Sequence, residues 1–203
     1  MGSLTSLHGR VFGIDAETGQ IIRNSTSNNG AKNGSTVTVK EYGDDINHLT
    51  VITCTATPIS ISDDAGVAQY GGVKVYDFPA GFIITEGAMV TGNLTGYASL
   101  IDTFDGDIAL GTATATTGAT LTGTEADILQ SVALSQAVGE VAAVDAVSVA
   151  TALTESGARW FDGTATAKDV FLNFVIDDNA AHGAGTATFT GTIRLLWKFL
   201  GDN

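Results

Sequence analysis

Cysteine is nearly absent from this 203-residue chain. One residue, Cys54, allows neither an intrachain disulfide nor a multi-cysteine metal site. It occupies an alternate position of LTVITCTAT, where a small buried hydrophobe is the expected role. Histidine is almost as scarce: His8, His48 and His182 are the whole supply of the commonest general base. Proline occurs twice, at Pro58 and Pro79, both at strand boundaries where a missing N–H does no damage. No stretch of 18 apolar residues occurs, and the opening MGSLTSLHGR lacks the apolar core of a signal peptide, so nothing is expected to direct the chain into or across a membrane.

Charge is sparse and one-sided. Only 15% of residues are charged, and nine Lys and Arg face 22 Asp and Glu for a net charge of −13. Such a surface repels phosphate backbones and anionic headgroups, which argues against nucleic acid or membrane as a direct partner. Residues 1–50 carry four basic and five acidic side chains, a net charge of −1, and the remaining −12 lies in residues 51–203. With 44% hydrophobic residues and so few charges, part of the apolar surface is expected to meet another protein, and the chain is expected to form oligomers.

The motifs that encode catalytic geometry are missing too. No G-x-S-x-G elbow, H-E-x-x-H pair or Walker-type glycine loop is present, so no enzyme, cofactor or metal site is expected. His48, with Asp44 and Asp45 in GDDINHLT, is the best available candidate base, and a turn before a strand is the preferred reading. Asp102, Asp105 and Asp107 in DTFDGD, with Asp177 and Asp178 in VIDDN, could offer oxygens to calcium, but the spacing is not that of an EF-hand. Acidic turns are the better reading. The sequons at Asn24, Asn33 and Asn93 would matter only in a secretory pathway. Tyr76, Phe78, Phe82, Trp160 and Trp197 could line a sugar- or peptide-binding groove, although their alternating positions favour core packing.

What the chain has in plenty is period-two alternation of Val, Ile, Thr and Ala. STVTVKE (35–41), LTVITCTAT (49–57), PISIS (58–62), GVKVYDF (72–78), FIITEGAMV (82–90) and IALGTATAT (108–116) read as strands. In DVFLNFVIDD the alternation puts Val170, Leu172, Phe174 and Ile176 on a buried face and Phe171, Asn173 and Val175 on a wet one. In TATFTGTIRLLWKF it buries Phe189, Ile193, Leu195 and Trp197 and exposes Thr188, Thr190, Thr192, Arg194 and Lys198. The intervening DDNAAHGAG predicts a hairpin between these two strands. Val73, Val75, Phe82 and Ile84 are expected in the sheet packing, with Phe78-Pro79-Ala80-Gly81 as a corner.

Turn signals at NNGAKNG, YGDD, DDAG, FPAG, FDGD and FDGT recur at the spacing of a sandwich, with glycine expected to supply a positive φ in the two Phe-Asp-Gly turns. Residues 124–150 are ambiguous: Thr124 and Asp127 have the outline of a capping box, whereas VALSQAV and AVSVAT alternate like strands, and the extended reading is preferred. The expected fold is all-β, an antiparallel β-sandwich over 48–203, preceded by an N-terminal arm or first strands over 1–47.

In order and character, GVKVYDFPAGFIITEGA, DGDIALGTATATTGATLTGTEADIL, FDGTATAKDVFLNFVIDD and FTGTIRLLWKFLGDN resemble virion structural proteins of tailed bacteriophages, marine ones especially. The similarity covers roughly residues 49–203. It implies a jelly-roll-like sandwich, a homotrimer, the major capsid protein as partner, and a place on the outer capsid surface as a decoration or cement protein. Two other readings stay open: a carbohydrate- or receptor-binding jelly roll of a fibre or secreted protein, and a self-assembling jelly-roll coat protein.

Overall fold

The computed structural model describes residues 36–44, 46–64, 68–96, 106–118, 120–133, 160–176 and 184–201, and strand backbone at 4–5, 11–14, 21–23, 103–104, 137–138 and 141–148. Among these residues the chain forms fifteen strands: β1 (Leu4–Thr5), β2 (Val11–Ile14), β3 (Ile21–Arg23), β4 (Val37–Gly43), β5 (Asn47–Asp64), β6 (Ala68–Asp77), β7 (Phe82–Thr95), β8 (Thr103–Phe104), β9 (Gly106–Gly111), β10 (Leu129–Ala133), β11 (Ala137–Val138), β12 (Val141–Ser148), β13 (Trp160–Asp162), β14 (Asp169–Ile176) and β15 (Gly185–Gly201). All their pairings are antiparallel. The fold is an all-β sandwich, built from one thirteen-stranded sheet that branches and folds over itself, with β8 and β11 paired apart from it as a two-stranded sheet.

The branch point is β5. One edge of this 18-residue strand pairs with β15 from Asn47 to Ile61. Its other edge pairs first with β4, from His48 to Cys54, and then with β6, from Ile61 to Asp64. Between these partners lies a bulge opposite Phe189 and Gly191, with Ala56 at φ 46° and Pro58 beyond it. A front layer β4-β5-β15-β7 and a back layer β6-β14-β9-β10 follow from this split, with β12 and β13 added to the free edge of β7. Strands β1 to β6 run as a meander, each beside its predecessor, a simpler wiring than the interleaved strands of a jelly roll.

Phe78-Pro79-Ala80-Gly81 carries the chain from the back layer to the front. The Phe78 N–H donates to the Lys168 carbonyl at 2.9 Å. Gly81 takes φ 136°, and a Cβ there would lie 2.5 Å from the Gly201 carbonyl oxygen, so the corner requires glycine on both counts. Beyond it the inward residue is Ile83, not Phe82 or Ile84 as expected; the corner shifts the phase by one, while Val73 and Val75 are buried as read.

The core between the layers draws Ile52, Val90, Leu94, Ile193, Leu195 and Trp197 from the front and Val73, Val75, Ile108, Leu110, Leu172 and Phe174 from the back. Each fully buried aliphatic side chain contributes about 1.5–3 kcal/mol. A second, smaller cluster of Ala68, Ala109, Ala115, Leu121 and Val175 lies on the other face of the back layer.

Three further expectations change, and two others are made definite. Strands β14 and β15 do not form a hairpin: β14 pairs with β6 and β9, β15 with β5 and β7, so the link between them crosses from one layer to the other. The face of β14 read as wet is covered, because Asn173 and Val175 are buried beneath residues 112–118 and 120–126. Thr124 and Asp127 cap no helix, in line with the preferred extended reading of 124–150. A short 3-10 turn at Gly123–Glu125 leads into the extended strands β10, β11 and β12, and Asp127 is bound to Thr112 instead. In the second Phe-Asp-Gly turn, Gly163 stays outside the left-handed region, and the turn is closed by Asp162 Oδ1 accepting from Thr164 N and Oγ1 at 3.0 and 2.6 Å. Residues 37–43, in the segment assigned to the N-terminal arm or first strands, are β4, with Val37 in the main core.

Candidate functional site

His48, the candidate base, is a core residue. Its ring stacks on Trp197 with centroids 4.0 Å apart and planes at 11°, and it is 1% exposed. Asp44 is turned to local backbone work: Oδ1 accepts from Ile46 N at 2.8 Å and Asn47 N at 2.6 Å, and the Asn47 amide also donates to it. These bonds, from Asn47 first and then Ile46, hold its carboxyl down at about 2. Asp45, His8 and His182 lie outside the described residues, as do Asp102, Asp105, Asp177 and Asp178. Asp107 is in β9, opposite Val175 and Ala133. Among the described residues no group of three or more His, Cys, Asp or Glu could hold a metal ion. Cys54 is buried, and desolvation pushes its thiol up to about 11, which suppresses the nucleophilic thiolate.

The five aromatic candidates divide. Trp197, Phe78 and Tyr76 are buried and packed on one another, with Phe78 edge-on to Trp197 at 5.0 Å. The Trp197 Nε1–H donates to Thr50 Oγ1 at 2.8 Å, and the Tyr76 hydroxyl donates to the buried Glu41 carboxylate, so these rings bring their polar atoms into the core with partners. Phe82 and Trp160 instead meet near the surface, centroids 5.7 Å apart, and Trp160 is 51% exposed. Trp160 and the buried Phe161 border a groove of about 720 Å³, whose remaining wall is the segment from Leu121 to Ser131. Within that wall, Asp127 Oδ1 accepts from Thr112 N at 2.8 Å and Oδ2 from Thr112 Oγ1 at 2.7 Å, while burial raises its pKa.

At the rim of the back layer, Lys74 bridges two carboxylates, Asp77 on its own strand and Asp169 across the β6–β14 pair at 2.6 Å. Burial works to lower the Lys74 pKa, and the bonds to Asp169 and Asp77 outweigh it and raise it. Burial also raises Asp77, with Asp169 adding to the effect. A protonated amine held between two acids binds them and is no nucleophile.

The outer face of the front layer carries a surface that motif searching passes over. Leu49 and Leu196 are direct cross-strand partners, both exposed, in the row Tyr42-Leu49-Leu196-Gly87. Two residues along each strand lies the row Lys40-Val51-Arg194-Met89, on the same face by the strand period. Lys198 is two residues along β15 the other way, opposite Ile84, with Glu86 at 2.6 Å. Ile46, whose carbonyl accepts from Phe199 N at 2.8 Å, and Leu200 add exposed apolar surface at this end, at 53% and 45%. Three of the five described Lys and Arg side chains therefore belong to one apolar face of a chain whose net charge is −13. The readable signal was Leu196, an apolar residue at a wet position of β15 beside Arg194 and Lys198.

No family model, no curated protein and no solved structure matches this chain.

Proposed function

We propose that this protein is a structural component of a tailed-bacteriophage virion, a cement or decoration protein on the outer surface of the head that acts by non-covalent contact and performs no catalysis. The observation that carries this reading is the apolar face around Leu49 and Leu196, edged by Lys40, Arg194 and Lys198 on an otherwise acidic molecule. Exposed leucines side by side in one row favour burial against another protein, and the cations steer that face toward an acidic partner surface. The partner is the major capsid protein, and copies of the chain assemble as a homotrimer. A net charge of −13 is unsuited to the interior of a head filled with DNA.

Cementing requires only that the summed contacts outlast the force that pulls shell subunits apart. With residues 37–43 built into β4, the reach over neighbouring subunits falls to the almost neutral segment ahead of it, residues 1–36. Electron micrographs of purified phage particles labelled with an antibody against this chain test the reading. Label over the head surface is expected, and label confined to tails or absent from particles overturns it. Deleting residues 1–30 is expected to reduce occupancy on heads that lack the protein; undiminished occupancy excludes the clamping role of the segment.

A further inference from the structure

We infer that the groove between Trp160 and the segment Leu121–Ser131 is a binding site for a neutral saccharide. The site lies where an edge of each layer ends, β13 on the front and β10 on the back, with the 3-10 turn at Gly123–Glu125 between them. It owes nothing to the capsid reading and uses a different surface.

The chemistry follows from what lines the groove and what does not. Trp160 exposes half its surface there, and its tilted contact with Phe82 fixes the ring instead of letting it sweep freely. An anchored indole offers an electron-rich face to the polarised C–H bonds of a sugar ring. The opposite wall is polar: Thr122, Thr124, Gln130 and Ser131 supply hydroxyl and amide groups, and Asp127 a carboxylate. Thr112 pins both oxygens of that carboxylate, so it is an oriented acceptor with lone pairs left for sugar hydroxyls. The Ser131 Oγ is buried beneath the groove with no partner in the protein, a polar group that a ligand hydroxyl could satisfy after a small rotamer change.

Charge narrows the ligand class. Among the described residues no Lys or Arg lines the groove, and the one ionisable group in its wall is acidic, so phosphate, sulfate and carboxylate ligands are disfavoured. Lys168 is near enough to be felt by Asp127 but forms no part of the wall. A purely apolar ligand would strand five polar side chains, which leaves an uncharged ligand with an apolar face and many hydroxyls. A volume of about 720 Å³ suits a ligand larger than a single small metabolite and well within the range of built sites.

The test uses the full chain on an array of neutral and acidic oligosaccharides, followed by fluorescence titration with neutral trisaccharides at millimolar concentration. Trp160 and the buried Trp197 are the only tryptophans, so a ligand-dependent change in the exposed, red-shifted emission reports on Trp160. Capture of neutral glycans over sialylated and sulfated ones is expected. Trp160→Ala should weaken binding at least about tenfold and Gln130→Ala severalfold, both with an unchanged melting temperature. Trp160→Phe, which preserves a ring on β13, should retain part of the affinity. Absence of glycan binding by the unmodified chain, preference for acidic glycans, or full affinity in Trp160→Ala and Gln130→Ala would each overturn the assignment.

Discussion

The front and back layers bury their strands in different ways. Strand β15 alternates from Phe189 to Trp197, with one face in the core and the other in solvent apart from a bulge at Gly191. Strand β14 is buried almost without interruption from Val170 to Ile176. The difference lies in what covers the outer face: nothing described covers the front, whereas residues 112–118 and 120–126 are laid over the back. Asn173 holds them there. Its Oδ1 accepts from Ala115 N at 3.0 Å, and its Nδ2 donates to the Ala113 and Glu125 carbonyls at 2.9 and 2.8 Å. Gly72 makes room for this, since a Cβ there would lie 2.3 Å from Asn173 Oδ1 and 2.5 Å from Thr114 Oγ1. Among the described residues, the outer face of one layer is bare and that of the other is sealed by its own chain.

The largest expected effect attacks what the layers share. Trp197→Ala removes the largest fully buried side chain and orphans the Thr50 hydroxyl, and should cost about 3–5 kcal/mol in urea unfolding. An unchanged midpoint would mean that the inner face of β15 is misassigned. Asn173→Ala should cost less, about 2–4 kcal/mol, because three hydrogen bonds go and buried backbone groups lose their partners. Hydrogen exchange locates that loss: the Ala115 amide should lose protection while the Ile193 and Leu195 amides of β15 keep theirs. Equal loss in both layers would show that the cover over the back is no separate unit.

Acid titration sharpens the comparison further. Asp44, in the front-layer turn, has a folded pKa of about 2 against an ordinary value of 3.8. Its contribution is complete above about pH 4 and lost as pH falls toward 2, so Asp44→Ala and the parent should converge in acid. Asp127, under the back layer, is raised by burial. Its contribution runs the other way, complete below the ordinary carboxylate pKa and lost as pH rises through the folded value, so Asp127→Asn should gain on the parent as pH rises. Urea midpoints followed from pH 2 to neutrality separate the two slopes; parallel curves for both variants would contradict the assignment.

Most strands were legible in the sequence because alternation of Val, Ile and Thr with polar residues marks a half-buried sheet. The bare faces of β5 and β15 obeyed it, and Cys54 sat where LTVITCTAT placed it. Legibility failed where a third layer intervened. Asn173 reads as a wet residue because nothing local announces that a loop sixty residues earlier will lie on it. The presumed hairpin between β14 and β15 failed for a related reason: a short polar link fits a layer crossing as well as a hairpin, and only the partners β6, β9, β5 and β7 decide between them. The proposed docking face was half visible, since Leu196, Arg194 and Lys198 are neighbours in sequence, while Lys40 and Leu49 join them only through strand register and Ile46 only through its carbonyl bond to Phe199.

The smallest effect on stability belongs to the measurement that bears most directly on function. Leu196→Asp combined with Arg194→Glu changes two exposed positions on the bare face and should shift stability by no more than about 0.5 kcal/mol. On the proposed virion role, purified phage heads lacking this protein are mixed with the parent chain or the double variant and sedimented. The parent should pellet with the heads and the variant, equally folded, should stay in the supernatant; equal sedimentation of both, or a parent chain that never pellets, would contradict docking through the front layer.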